Sequence, residues 1–495
     1  MSDKNFLSYV KPEEVGISSQ NMSKFIDGLD SRGVHAHSVI GIRHDRIFLE
    51  AYFAPYKKER LHRQYSVSKS FVAGAIGLLA DEGRIKLDDK VADYFPDMVD
   101  ETTHPYILEA TIRNLLMMAS PHRGTTYDMD HDTDWVRTFF RKTPTHRPGT
   151  LFNYDTSATF ILDALVERLT GKPFLEYMKD KMLREMGFSE SAHCIKSPDG
   201  YSWGGSGVLC TTMDLAKYAL VFLHGGMYNG KRMLSEGFVR EATSPMIPTA
   251  STRPSDAFIE GCGYGYYIWM TPFGSFSFLG MGDQLAICFP KEDLLIVMNC
   301  DTEGQGTLRT CIFELIERYF LSPLADVLPA DDEAYEKLTK QIKSLSFPVF
   351  DGSPSSETEK KVGGRRYVIG ENGTSISEFT LTFDDEGGFL SYVNLHGKKT
   401  LRFGKGKYVL TEFPETCYSG DTIGTPRGTG YEAAVSAVWT SESTLVIHTA
   451  VLDDFLGNMY MIFSFKDDDC AVKIDAYAEG LLEEYTCLRM AKAEK

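Results

Sequence analysis

From Phe71 to Ala80 the chain reads FVAGAIGLLA, ten positions without a polar side chain, directly behind Ser66, Ser68, Lys69 and Ser70. A helix with no polar face cannot lie on a surface and must be enclosed by other elements. Its polar first turn is therefore the unusual part. A serine and a lysine three residues apart on a helix project to the same side. Ser66 stands where free backbone N–H groups and the positive end of the helix dipole favour a developing oxyanion. Lys69, drawn into apolar surroundings, is expected to have a lowered pKa and to accept a proton from Ser66. The same S-x-x-K letters also fit a helix cap at Ser66 with Lys69 reaching to solvent, and this segment alone leaves both readings open.

Farther along, RPGTLFNYDTSATFILDALVERLTGKPF (Arg147 to Phe174) supplies a Pro-Gly turn, a short extended stretch and a helix from about Ser157 to Thr170 that Gly171 stops. Tyr154 lies in the loop entering that helix. A phenol serves as a base only beside a cation, and Lys69 is a candidate for that cation. A core aromatic tethering the loop is the alternative.

The chain divides into three zones. Residues 1–325 mix strand and helix signals: SVIGIRHDRIFLEAYF (Ser38 to Phe53) reads as a hairpin turning near His44-Asp45, and SFSFL, QLAICF and DLLIVMN (Ser275 to Asn299) read as three short strands. Helical runs, SSQNMSKFIDGLDSRG and TLRTCIFELIERYF, flank them. Strands from both ends of one zone imply a central antiparallel sheet closed by those two ends, with the helical middle as an insertion, an α/β (α+β) arrangement. Residues 326–361 read as a proline-bearing linker holding a short capped helix, Asp331 to Leu345. Residues 362–495 alternate strand-like runs with Gly, Asp and Asn turns, which predicts an all-β domain, a barrel or a sandwich.

Composition narrows the function class. Hydrophobic residues make up 43% and charged residues 24% of the 495, which is a globular balance. The net charge of −17 opposes binding to nucleic acid or to an anionic membrane surface. No apolar run reaches membrane-spanning length, and the opening MSDKNFLSYVKPEEVG has no secretory apolar core, so neither a membrane span nor a signal peptide is expected. The nine cysteines lack metal-ligand spacing and read as free thiols in a reducing cytoplasm.

The ordered motifs SVSK (Ser66 to Lys69) on an enclosed helix, PGTLFNYDT around Tyr154, WGGSGVLCTTMDLAKYALVFLHGGMYNGKRML, GYGYYIWM and the late strands resemble the serine β-lactamase and penicillin-binding-protein superfamily. Within it the match is closest to class C-like esterases and the 6-aminohexanoate-dimer-hydrolase-like branch. The resemblance spans roughly Pro12 to Leu321. It implies a β-lactamase-like catalytic domain and an acyl-enzyme on a nucleophilic serine. Carried over by position, Ser66 is the nucleophile, Lys69 its general base partner and Tyr154 the second base that later protonates the leaving group. No metal or cofactor is implied. The C-terminal part resembles the loosely lipocalin-like accessory barrels of some members, whose roles include covering a pocket, dimerisation or binding, so a homo-oligomer is left open.

Two departures from the family pattern bear on substrate. Asp155-Thr156 follows Tyr154 where the family usually has a serine or asparagine. The third motif, usually Lys-Thr-Gly or His-x-Gly, aligns with Phe278-Leu279-Gly280, so the cation that would grip a β-lactam or D-peptide carboxylate is missing. That favours carboxylic esters or amides without such a carboxylate. Gly280 still permits close strand approach, and the N–H of Met281 pairs with that of Ser66 as the expected oxyanion hole. Asp155, Gly280, His122, Trp135 and Trp269 are candidate substrate contacts, with packing as the plainer role for His122, Trp135, Tyr264 and Trp269. A β-lactamase or D-amino-acid peptidase, and a scaffold with a vestigial site, are the competing readings.

Other motifs carry less. Gly225 to Lys231 imitates a phosphate loop, but Arg232 replaces the required Ser/Thr, and a helix-to-turn connection is expected. Asp128, Asp130, Asp132 and Asp134 alternate as in a calcium loop, yet Thr133 holds the turn-glycine position, and a solvated acidic loop is expected.

Overall fold

The computed structural model describes residues 6–129, 131–249, 259, 261–302, 307–369, 376–415, 430–477 and 485–494. Asp130 of the acidic loop and Cys417 lie outside the described residues. The chain separates into two compact units, divided along the sequence between Leu345 and Ser346.

The first unit is built on a seven-stranded sheet. In chain order its strands are β1 (Ser8–Tyr9), β2 (Ala36–Arg43), β3 (Arg46–Tyr52), β4 (Trp269–Thr271), β5 (Ser275–Gly280), β6 (Gln284–Phe289) and β7 (Leu294–Cys300). They lie side by side as β1-β3-β2-β7-β6-β5-β4. Antiparallel pairing of β2 with β7, Val39 opposite Met298, joins the two ends of the unit into one sheet. The β2–β3 hairpin turns through His44 and Asp45, both with left-handed φ (52° and 56°), the twist that a two-residue connection between antiparallel strands requires.

Both faces of the sheet are covered, so β2, β5, β6 and β7 are buried along their whole length and read as near-continuous apolar runs. On one side, helix α1 (Ser19–Ser31) and the chain after Ile316 share an aromatic contact, Phe25 with Phe320 at 4.8 Å, and Phe320 also meets Phe48 of β3.

Between β3 and β4 come the helices α2 (Ser68–Asp81), α3 (Thr156–Thr170) and α4 (Thr212–Leu223); α5 (Leu308–Ile316) follows β7. The expected all-round burial of α2 is present: every residue from Ser68 to Leu79 is buried. Phe71 stacks on Tyr218 of α4 at 4.1 Å, and α2 also packs on α3. The short capped helix expected within the connector is present as α6 (Asp332–Lys343), and it packs on α1. Gln341 of α6 donates to the Asp27 carboxylate of α1 at 2.7 Å.

The second unit is all-β, as expected. Ten strands from β8 (Arg366–Ile369) to β17 (Cys487–Ala493) form one sheet. The sheet closes on itself: the strand Gly397–Lys405, an end of the hydrogen-bonded series, also pairs with Tyr431–Trp439, as Gly404 with Ser436. Closure resolves the choice between barrel and sandwich in favour of a barrel, and it leaves fewer backbone edges unpaired. No described helix is long and apolar enough to cross a membrane.

Candidate active site

Ser66 does not open the long helix, as the sequence suggested. It sits in a 3-10 turn, Tyr65–Val67, that leads into α2 at Ser68. Tyr65 has φ +46°, a conformation that costs a non-glycine residue energy and is held here by its surroundings. Arg63 does part of that holding: its guanidinium lies between the rings of Tyr65 and Trp203, 4.3 and 4.8 Å from their centroids. It also donates to Ser206 O at 3.1 Å. The turn is thereby fastened to the Trp203–Gly207 segment, and Ser66 keeps partial exposure while its neighbours are buried.

Lys69 is 1 % exposed. Its Nζ lies 2.9 Å from Ser66 Oγ and 2.6 Å from the carbonyl oxygen of Gly205, and 4.9 Å over the ring of Tyr154. The solvent-facing alternative for this lysine is excluded. An amine taken out of water needs such partners, because burying one without them costs several kcal/mol, about 3 or more.

Tyr154 enters from the loop before α3, and its phenol lies beside the Ser66 side chain. Burial pushes the phenol up to about 12, against the opposing pull of the nearby Ser66 hydroxyl and of the Arg309 charge. At neutral pH the phenol of the free protein therefore carries its proton. Its ring lies nearly parallel to that of Trp269, 5.8 Å away, and Trp269 also meets Phe152 and Tyr264. Tyr154, Phe152 and Trp269 keep partial exposure, giving the site one aromatic wall.

The opposite edge is the end of β5. A Cβ on Gly280 would stand 2.5 Å from Gln64 O, so only glycine lets this strand close on the segment that carries Ser66. Met281 follows in the turn. Phe278 is fully buried against Tyr218 and Phe222, so no side chain from this strand supplies a cation.

The structure thus brings Ser66, Lys69, Tyr154, Gly280, Met281 and Trp269 to one place. Three expected substrate contacts are corrected. Asp155 is fully buried as the N-cap of α3: it accepts from Ser157 N at 2.9 Å and from Ser120 Oγ at 2.6 Å, and burial raises its pKa. A carboxylate next to the tyrosine is used to end a helix, which satisfies otherwise unpaired N–H groups. His122 is 2 % exposed and bonds Phe139 O through Nε2. Trp135 is fully buried, stacked on Tyr127 at 3.8 Å.

Two residues escaped the sequence reading. Arg309, in the first turn of α5, ion-pairs with Asp283 and donates to Gly280 O at 3.3 Å. Its one sequence signal is a cation in a helix first turn, where the dipole disfavours it. Asp163 of α3 is fully buried, accepts from Gly204 N at 2.9 Å and leaves its other oxygen without a partner, and burial raises its pKa far above the ordinary range. It holds the peptide two along from the one whose carbonyl anchors Lys69. Among the described residues no cluster of His, Cys, Asp or Glu is arranged to hold a metal ion.

Residues 22–310 match the family model described as Beta-lactamase. The chain belongs to the Beta-lactamase family of hydrolases. It is 26% identical over 275 residues to a 6-aminohexanoate-dimer hydrolase of Paenarthrobacter ureafaciens, an alignment covering 52% of this chain and 70% of that one. A solved penicillin-binding-protein homologue from Caulobacter crescentus has a similar fold, with TM-score 0.52 and 16% identity over 63% of this chain and 98% of its own. The octameric penicillin-binding protein homologue from Pyrococcus abyssi matches at TM-score 0.50 and 17% identity, covering 96% of this chain and 99% of its own.

Proposed function

We propose that the protein is a serine hydrolase that cleaves a carboxylic ester or amide through an acyl-enzyme on Ser66. The observation that carries this reading is the convergence of the Lys69 amine and the Tyr154 phenol on one partly exposed hydroxyl.

The proton inventory gives the order of steps. For Ser66 to lose its proton, the Lys69–Tyr154 pair must be one proton short. With the phenol at about 12, the vacancy belongs on Lys69, which still donates one N–H to Gly205 O. Ser66 Oγ attacks the carbonyl carbon as its proton passes to the Lys69 amine. The carbonyl oxygen takes the negative charge and is held by the N–H groups of Ser66 and Met281. Collapse expels the alkoxide or amine, which takes a proton from Tyr154, and Lys69 returns one to the phenol. Water enters by the reverse route and frees the acid.

An uncharged substrate is favoured. Arg309, the cation beside Gly280, is already neutralised by Asp283, and Phe278 offers none. The wall of Tyr154, Phe152 and Trp269 suits an apolar or aromatic group. The reading includes the cytoplasm as the setting, which the free thiols of Cys194, Cys210, Cys262, Cys288, Cys300, Cys311 and Cys470 support. A homo-oligomer also belongs to it, supported by the octameric relative and checked by light scattering.

The test is a panel of p-nitrophenyl esters followed by a fluorophosphonate probe. Turnover and a single adduct on the peptide containing Ser66 are expected. No turnover and no adduct would end the assignment.

A further inference from the structure

Behind the two edges of the site lie three fully buried carboxamides in hydrogen-bond contact, Gln64, Asn299 and Gln284. Asn299, at the end of β7, is the middle member. Its Nδ2 donates to Gln64 Oε1 at 3.2 Å and to Gln284 Oε1 at 3.1 Å, and its Oδ1 accepts from Thr212 Oγ1 at 2.8 Å. Gln284 Nε2 donates to Met281 O at 2.9 Å and to Cys300 O at 2.8 Å. Gln64 Nε2 donates to His62 O at 2.9 Å. Both amide hydrogens of Asn299 and of Gln284 are used, so the network itself fixes which end of each amide is oxygen.

The two ends of this relay are the two halves of the proposed oxyanion hole. Gln64 precedes Ser66 by two residues, and its carbonyl accepts from Val67 N at 3.0 Å. Gln284 pairs with Gly280 across the turn that carries Met281. That turn passes through Gly282 and Asp283, both left-handed (φ 70° and 63°). Its peptide planes are pinned on both sides of Met281: Gly280 O accepts from Asp283 N at 3.2 Å and from Arg309, and Met281 O accepts from Gln284. In a trans peptide the N–H points opposite to the carbonyl of the same unit, so the bonds to Gly280 O aim the Met281 N–H, and Gln284, by holding Met281 O in the next peptide, stops the rotation about Met281 that would let that plane turn away.

We infer that Gln284, braced through Asn299 against Gln64, is a positioning residue that sets the Met281 N–H against the Ser66 N–H. The inference rests on reading those two N–H groups as the oxyanion hole. Apolar packing would fill the same volume but would leave the orientation of the Met281 carbonyl free. Directed hydrogen bonds do not.

The test uses the full-length protein and Gln284→Met, which keeps length and volume and removes the donors. Expected are a fall in kcat on a p-nitrophenyl ester of about 10-fold to 100-fold, KM within about threefold, and an equal fall in affinity for a boronic acid that forms a tetrahedral adduct on Ser66. Unchanged kcat/KM, or a lower kcat with unchanged boronate affinity, overturns the inference. Gln284→Glu adds a readout that a packing role would not give. Its carboxylate faces two carbonyl oxygens and only its protonated form donates, so kcat should recover as pH is lowered relative to the unsubstituted protein; no recovery counts against the inference. Gln64→Met, read the same way, decides the matter where Gln284→Met does not fold. Ser66→Ala separates the layers: retained turnover defeats the hydrolase reading itself, whereas an inactive Ser66→Ala beside an unaffected Gln284→Met defeats only the relay.

Discussion

Lys69 Nζ lies 2.6 Å from the carbonyl oxygen of Gly205, a residue 136 positions away in the chain. That contact turns a lysine near the start of a helix into a buried group with a fixed direction. It is prepared from the other side as well, because Asp163 holds Gly204 N and Ser68 Oγ accepts from Val208 N at 3.0 Å. The Trp203–Gly207 segment is thus the back wall that aims the amine at Ser66.

Removing the amine should therefore affect both chemistry and stability. Lys69→Ala is expected to lower kcat/KM on an activated ester by about 10²-fold to 10⁴-fold. It should also cost about 1–3 kcal/mol in denaturant unfolding, because Gly205 O loses its buried partner. A variant within twofold of the unsubstituted rate would show that Lys69 moves no proton.

The proposed role of Tyr154 as proton donor is tested with leaving groups. Tyr154→Phe should slow hydrolysis of an alkyl ester by about 10²-fold to 10⁴-fold and of a p-nitrophenyl ester distinctly less, since nitrophenolate departs without a proton. Equal losses on both esters would move Tyr154 out of that step.

Asp163 predicts a pH signature in stability. Its raised folded-state pKa means the folded chain holds this proton more tightly than the unfolded chain. The stabilisation is complete below the ordinary carboxyl range and is lost as pH rises toward the folded value. Asp163→Asn cannot ionise, so its Tm relative to the unsubstituted protein should rise between pH 5 and pH 8. A constant difference would mean that Asp163 is ionised in the fold.

Gly280→Ala tests the closeness of the strand end. Its Cβ meets a backbone oxygen, Gln64 O at 2.5 Å, which has no flexible end to swing aside. A cost of about 1–3 kcal/mol is expected, with a fall in kcat as β5 withdraws from the turn that carries Ser66. Unchanged kinetics and Tm would show that the strand end yields freely.

Asp155→Ala separates a cap from a substrate contact. Loss of about 1–3 kcal/mol of stability with KM unchanged is expected, because the carboxylate serves Ser157 and Ser120. A KM change without a stability change would return Asp155 to the pocket.

What the sequence determined by itself was whatever local pattern can carry. An apolar run without a polar face fixed the burial of α2, alternating strands fixed the sheet and the all-β character of the second domain, and the order of short motifs fixed the family. The same local view misplaced Asp155, His122 and Trp135, since neighbours of a functional loop in sequence can face either way from it. It passed over Arg309 and Asp163 because each acts on residues distant in the chain. Only the tertiary structure decided that Lys69 turns inward to Gly205 rather than outward to water, and that Gln64 and Gln284 meet on Asn299. The physical reason is that a buried polar group is directed by whichever partners the packed fold brings within about 3 Å, and those partners come from segments that sequence spacing does not relate.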